Sequence, residues 1–516
     1  MDRPDATAFA PRGKPAIVIR RWLRLFGGSL VLGVWCLRLH AADQPQWGQA
    51  WSRNMVSTEH GLPDSLDPNT GKNIKWTAQL GTETHSTPVV AGGRVYIGTN
   101  NGQPRDPKYQ GDRGVLMCFD EKTGRFLWQL VVPKREEDVY FDWPNTGMAS
   151  PATVEGDRVY VVSNRGEVLC LDPNAPADAS PGIIWRFDLT SGAGIWSHDA
   201  AHSSILIHGN YLYLNTGTGV DNTHKRIRAP DAPSLVVLDK HTGRLVARDD
   251  EHIAPNIFHS TWSSPSLASV NGHALVFFAA GNGIVYAFNT IPNEVVSRSN
   301  GAEAKRVSEQ SSNIQSLQTP ALLHRVWQFD FDPTAPKENV HKYNSNRREG
   351  PSNFHSMPVF YKDRLYVAGG GDPWWGKNQA WLKCIDPTRT GDITDNGLVW
   401  SYPLQKHVLS TPAIYDGLLF IADCGRAVHC INAGTGKAYW THDVNGEAWA
   451  CPLVADGKMY LGTRSGDFYV FAASKTKKLL STTQLGDPIS ATATAANGVL
   501  YVATMSHLYA VRMSSP

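Results

Sequence analysis

No two cysteines are adjacent in this chain, and only seven occur among its 516 residues. Thiols this few, scattered over the length, do not make a disulfide framework. An excess of charge of either sign is also missing. Lys+Arg number 49 against 47 Asp+Glu, a net +2, and loss of residues 1–42 would leave −3. That gives no basic footprint for nucleic acid. The apolar run at 25–37 is too short to span a bilayer comfortably. Gly391-Asp392-Ile393-Thr394-Asp395-Asn396-Gly397 is acidic but lacks the spacing and terminal Glu of an EF-hand, so it reads as a polar turn.

The segment around that apolar run has the order of an export signal. Arg20, Arg21 and Arg24 precede it, and Leu39-His40-Ala41-Ala42 supplies small residues for cleavage. Residues 1–42 are therefore expected to be a signal peptide, leaving a periplasmic or secreted protein that is not membrane-spanning. Arg20-Arg21-Trp22-Leu23-Arg24 also resembles a twin-arginine signal. Trp35 stands where a lipobox needs a small residue, so Cys36 is not read as a lipid anchor. Residues 43–63 follow as an N-terminal extension.

What the chain has in abundance is self-similarity. Asp120-Glu121-Lys122-Thr123-Gly124-Arg125-Phe126-Leu127-Trp128 recurs as Asn432-Ala433-Gly434-Thr435-Gly436-Lys437-Ala438-Tyr439-Trp440. Each copy precedes a small-residue/Pro segment and a strand-turn-strand run. Aligning on that segment gives eight units, ending at Pro88, Pro151, Ile205, Pro265, Pro358, Pro412, Pro452 and Ala493. Repeats of roughly 40 residues or more built from short strands point to a propeller. Too little chain follows Ala493 for a fourth strand, whereas Asn73-Ile74-Lys75-Trp76 is an orphan outer-strand motif near the start. We therefore expect an all-β, eight-bladed propeller over residues 64–516. Strands from both ends of the chain should complete the last blade, leaving no open sheet edge. The polar stretch at about 291–319 reads as an insertion, and 336–352 as a second surface excursion.

Within the repeats, Ala or Cys, then Asp two residues on, then Thr-Gly-Lys/Arg and a Trp four residues later resembles the pyrroloquinoline quinone (PQQ) repeat. The resemblance covers roughly residues 64 to 512. It implies that Trp76, Trp128, Trp185, Trp327, Trp400 and Trp440 dock between neighbouring blades. Ala247 and the stretch around Leu480 depart from the pattern. The family includes quinoprotein alcohol dehydrogenases and a non-enzymatic outer-membrane-protein assembly lipoprotein. For the dehydrogenases it implies PQQ and calcium at the axis, and commonly a vicinal disulfide that this chain lacks. The stretch matching their calcium-ligating Asn, Leu214-Asn215-Thr216-Gly217-Thr218-Gly219, offers Thr218, a poorer hard-cation ligand. Asp249, Asp250 and Glu251 lie at an outer-strand end, so no catalytic residue is assigned. Cys118, Cys170, Cys384 and Cys430 share one repeat position and read as small buried groups. A pairing of Cys424 or Cys451 with Cys430 stays open.

The inner strands carry the candidate site. Three residues before the alignment position stand His85, Met148, His202, Trp262, His355, Leu409, Trp449 and Ser490. Side chains alternate along a strand, so equal offsets should face equally in every blade. His85, His202, His355, Trp262, Trp449 and Met148 are accordingly expected at one mouth of the central channel. They would bind a metal or clamp a planar ligand, unless the imidazoles only hydrogen-bond neighbouring hydroxyls. The segments Trp196-Ser197-His198-Asp199, Phe258-His259, Asp372-Pro373-Trp374-Trp375 and Lys406-His407 add polar and aromatic groups to that face. For His198 to meet Asp199, the backbone there must turn irregularly. Two function classes stay open. One is a monomeric binding or assembly module for a protein, peptide or saccharide. The other is a PQQ- and calcium-dependent dehydrogenase of an alcohol or sugar.

Overall fold

The computed structural model describes residues 42–137, 141–176, 180–199, 203–292 and 319–513. The signal segment, His202 and nearly all of the 291–319 insertion lie outside them. Eight antiparallel sheets follow one another along the chain, each of four main strands. Their first strands are Val89–Ala91, Thr153–Glu155, Leu206–His208, Ser266–Val270, Val359–Tyr361, Ala413–Tyr415, Leu453–Ala455 and Thr494–Ala496. The expected closure is present: Ile74–Gln79 pairs antiparallel with His507–Val511 as the outer strand of blade eight. Among the described residues the only α-helix is Leu189–Ala193.

The apolar side chains of each blade pack against its neighbour rather than into one common core. Val89, Tyr96, Leu116 and Trp128 of blade one, for example, share a cluster with Val159, Val161, Leu169 and Leu171 of blade two. The Trp residues of the repeat are the pins of these contacts. Trp128 Nε1 donates to Pro173 O (3.0 Å), Trp185 to Lys240 O (3.0 Å), Trp400 to Ala433 O (3.0 Å) and Trp440 to Ser474 O (3.0 Å), each in the next blade. Trp76 and Trp327 do the same toward Glu121 O and Pro387 O. The Thr-Gly turn must be Gly because the ring lies on it: a Cβ on Gly124, at φ +72°, would stand 2.6 Å from the Trp76 indole. Blade three, which has Ala247 in place of the Trp, is covered at its outer edge by an extra parallel strand, Ala321–Leu322, alongside Ala247 and Arg248. All six described cysteines are free and buried.

The N-terminal extension is a strap rather than a tail. It crosses the first strands of all eight blades in order. Val90 N bonds Gln44 O, Val154 N bonds Pro45 O, and Trp51 Nε1 reaches Ile207 O. Leu267 N then bonds Trp51 O, and Phe360 N bonds Ser52 O. Asn54 makes a two-way pair with Ile414, Val454 N bonds Met55 O, and Ser57 Oγ reaches Ala495 O. Its centre is Arg53, fully buried, whose guanidinium donates to Pro265 O, Trp47 O, Ser204 O and Ser204 Oγ. The strap closes one end of the channel, and a pore becomes a cup.

Candidate ligand pocket on the propeller axis

Trp47 of the strap, the segments leading into the first strands, and the loop at 372–376 enclose an axial cavity of about 280 Å³. His85, Trp262, His355 and Trp449 all line it, and so do Leu409 and Ser490 from the same repeat position. His202 lies outside the described residues. Met148 departs from the expected placement: it is fully buried in the apolar cluster between blades one and two. Gly147, at φ +70°, turns the chain just before it and breaks the register on which the expectation rested.

One side of the cup is a set of indoles. Trp262 and Trp374 meet at 5.0 Å between ring centroids, and Trp374 stands edge-on to Trp449 at 5.9 Å. Arg464 lies over Trp449 at 4.5 Å while donating to Ser490 Oγ. His85 stacks on the same indole at 6.0 Å, and its Nε2 lies 2.8 Å from Glu83 Oε1. Trp374 and Trp375 are held out into the cup by Asp372, whose Oδ1 accepts from both backbone N–H groups (3.0 and 2.8 Å). Arg347 braces the same loop by donating to the carbonyls of Pro373, Trp374 and Gly376. The 336–352 stretch is thus a support for the pocket wall, which its polar composition did not reveal.

The other side is imidazole and carboxylate. His259 Nδ1 lies 2.9 Å from Asp372 Oδ2, and His355 Nε2 lies 3.4 Å from the same oxygen. Burial opposes charge on Asp372, but the hydrogen-bonded His259 and the adjacent His355 outweigh it and hold the carboxyl well below the usual range. Burial likewise works against protonation of His259, and Asp372 and Asp199 together carry its pKa upward. His198 Nε2 faces His259 Nε2 at 3.1 Å. The irregular turn that a His198 and Asp199 meeting demands is there: Asp199 has φ +52°, and its Oδ2 stands 3.7 Å from His198 Nε2. His224, whose sequence context carries no signal, completes the group from the loop between the second and third strands of blade three.

A sequence profile of the family described as outer membrane protein assembly factor BamB matches residues 65–325 and 378–515. The chain belongs to that PQQ-repeat family. Quinohemoprotein alcohol dehydrogenase of Comamonas testosteroni is 29% identical over 108 residues, 18% of this chain and 15% of that protein. Lupanine 17-hydroxylase [cytochrome c] of a Pseudomonas species is 25% identical over 201 residues, 33% of this chain and 27% of that protein. The matched stretches thus span far less than two thirds of these relatives. The crystal structure of BamB from Moraxella catarrhalis superposes with a TM-score of 0.50 at 12% identity, covering 86% of this chain and 98% of that one. At that identity the likeness concerns the fold. Among the described residues, no helix of this PQQ-repeat propeller is long and apolar enough to cross a membrane.

Next to the pocket loop, His407 is only 2% exposed. Burial, then Lys406 and Arg347, push its pKa down to about 4. The unfolded chain binds that proton near pH 6.5 while the folded chain refuses it, so stability is complete above that pH and falls as pH drops toward 4. The expected loss is about 2 kcal/mol. Urea midpoints at pH 7.5 and 4.5 should converge in His407→Gln; an unchanged acid loss in that variant removes His407 as its source.

Proposed function

We propose that this protein is an exported binding module whose axial cup holds one saccharide ring. The observation that carries this reading is the set of six tryptophans lining the cavity, Trp47, Trp143, Trp262, Trp374, Trp375 and Trp449, with Glu83, Asp199 and Arg464 among them. Flat apolar faces with a few polar groups between them suit the C–H face and hydroxyl edge of a pyranose. The cavity volume is that of a small ligand, so a protein partner would engage the rim or deliver a single residue. Export rests on the order of residues 20–42.

The dehydrogenase relatives support a second reading, in which PQQ and calcium occupy the same cup. Calcium takes six to eight oxygen ligands. The close-set donors beside this pocket are imidazole nitrogens with Asp199 and Asp372, a set that does not fit that ion. A carboxylate-rich quinone would also find one lining arginine, Arg464.

Tryptophan fluorescence titrated with a panel of mono- and disaccharides tests the first reading. At least one sugar should quench or shift the emission saturably, and Trp374→Ala should weaken its binding at least about tenfold, the worth of one stacked aromatic. No saturable response, or an unchanged affinity in the variant, overturns it. Dye reduction on adding PQQ, calcium and an alcohol would support the second reading instead.

A further inference from the structure

Three chain segments converge beside the cup for a reason unrelated to blade geometry. Isolated bridges join Ser197 to Thr218, Gly219 to Ser260 and Val220 to Ile227, a small ladder lying between blades three and four. Gly219 is its closest approach: a Cβ there would stand 2.6 Å from His259 O and 2.8 Å from His198 Cβ. Asp199 at φ +52° and His224 at φ +54° both adopt left-handed backbone, which costs free energy for a residue with a Cβ. What this arrangement achieves is convergence of ligand atoms. The donor atoms of His198, His224 and His259 lie within 4.8 Å of one another, and all three residues are buried.

The distances are those of a coordination shell. His198 Nε2 and His259 Nε2 are 3.1 Å apart, and Asp199 Oδ2 is 3.7 and 3.6 Å from them. The point equidistant from three atoms so spaced lies about 2.0 Å from each, the length of a bond from zinc to imidazole nitrogen or carboxylate oxygen. The Nδ1 of His259 is engaged by Asp372 Oδ2 at 2.9 Å, which fixes the ring and turns Nε2 to that point. A carboxylate behind a metal-binding histidine is the usual way to orient it. His224, packed against Trp375 with centroids 4.4 Å apart, brings its donor atom within 4.8 Å of those of His198 and His259. Asp199 and His259 also line the cup.

We propose that His198, His259 and Asp199 bind a late first-row divalent metal ion, with His224 as fourth ligand, in the wall of the axial cup. Two or three imidazoles and one carboxylate suit Zn²⁺ and its neighbours and disfavour calcium and magnesium. Asp372 is a positioning residue. The metal site stands without the saccharide reading, because it needs no ligand in the cup.

The test is metal titration of the full-length purified protein after dialysis against a chelator, with no sugar present. Zn²⁺ should bind with one-to-one stoichiometry and a Kd below about 1 μM, and it should raise the melting temperature. Co²⁺ should give the visible absorption of a four-coordinate nitrogen and oxygen site, and Ca²⁺ should produce neither effect. His198→Gln and His259→Gln should each weaken Zn²⁺ binding at least about 100-fold, whereas His442→Gln, on an outer strand of blade six, should not. Wild-type protein that binds Zn²⁺ no more tightly than the His198→Gln/His259→Gln double variant overturns the proposal, and so does a wild type showing no Co²⁺ spectrum. Since the Co²⁺ spectrum is recorded on wild type alone, a variant that fails to fold does not protect the proposal. Loss of sugar binding with intact Zn²⁺ binding would count against the saccharide reading alone.

Discussion

Arg53→Met is expected to destabilise the protein by about 3–5 kcal/mol. The side chain is fully buried, and among the described residues no carboxylate pairs with it; its four hydrogen bonds end on backbone carbonyls or a serine hydroxyl. Desolvation pushes the guanidinium down to about 9, so it is still charged at neutral pH. Removing the charge recovers that desolvation cost, which by itself would favour the substitution. The opposite term is larger: the carbonyls of Trp47, Ser204 and Pro265 lose their donor where water has little access, each at about 1–3 kcal/mol. Arg53→Lys should rescue little, because a single ammonium cannot reproduce a planar fork directed at blades three and four. Chemical denaturation with the strap otherwise intact gives the measurement. A loss under about 1 kcal/mol for both variants would show that the strap is held by its backbone bonds alone.

The second large effect is expected from Asp372→Ala, at about 3–5 kcal/mol, with loss of the pocket wall as well. Asp372 is fully buried and serves two groups at once. Oδ2 faces His259 and His355, and Oδ1 accepts from the backbone of Trp374 and Trp375. Truncation leaves a buried imidazole without its counter-charge and frees the loop that presents two indoles. Asp372→Asn keeps the shape and an acceptor for the two backbone N–H groups, so it should cost less than Ala. It should still disturb His259. Urea unfolding and the near-ultraviolet dichroism of the tryptophans report the two consequences separately. Wild-type stability together with an unchanged tryptophan spectrum in Asp372→Ala would refute the role assigned to it.

The repeats and the facing of the inner-strand residues both follow from local periodicity. The small-residue/Pro segments recur, strands alternate with period two, and a residue at a given offset faces the same way in each blade. His85, Trp262, His355 and Trp449 reach the cup by that rule. Met148 escapes it where Gly147 turns the chain. The docking of Trp128 and Trp400 against the next blade was expected from the resemblance to the PQQ repeat, and the hydrogen bonds to Pro173 and Ala433 bear it out.

By itself, then, the sequence determined an eight-bladed ring closed by its two ends and the direction in which most of the inner-strand residues point. Only the tertiary structure decided that residues 42–59 cross every blade and close the channel. Their hydrogen bonds, from backbone and side chains alike, reach partners far along the chain, and no spacing rule encodes such pairs. The meeting of His198, Asp199, His224, His259 and Asp372 was decided at the same level. These residues lie on separate loops of blades three to five, where neither strand period nor repeat register applies. Isolated bridges, two left-handed residues and the close approach at Gly219 bring them together.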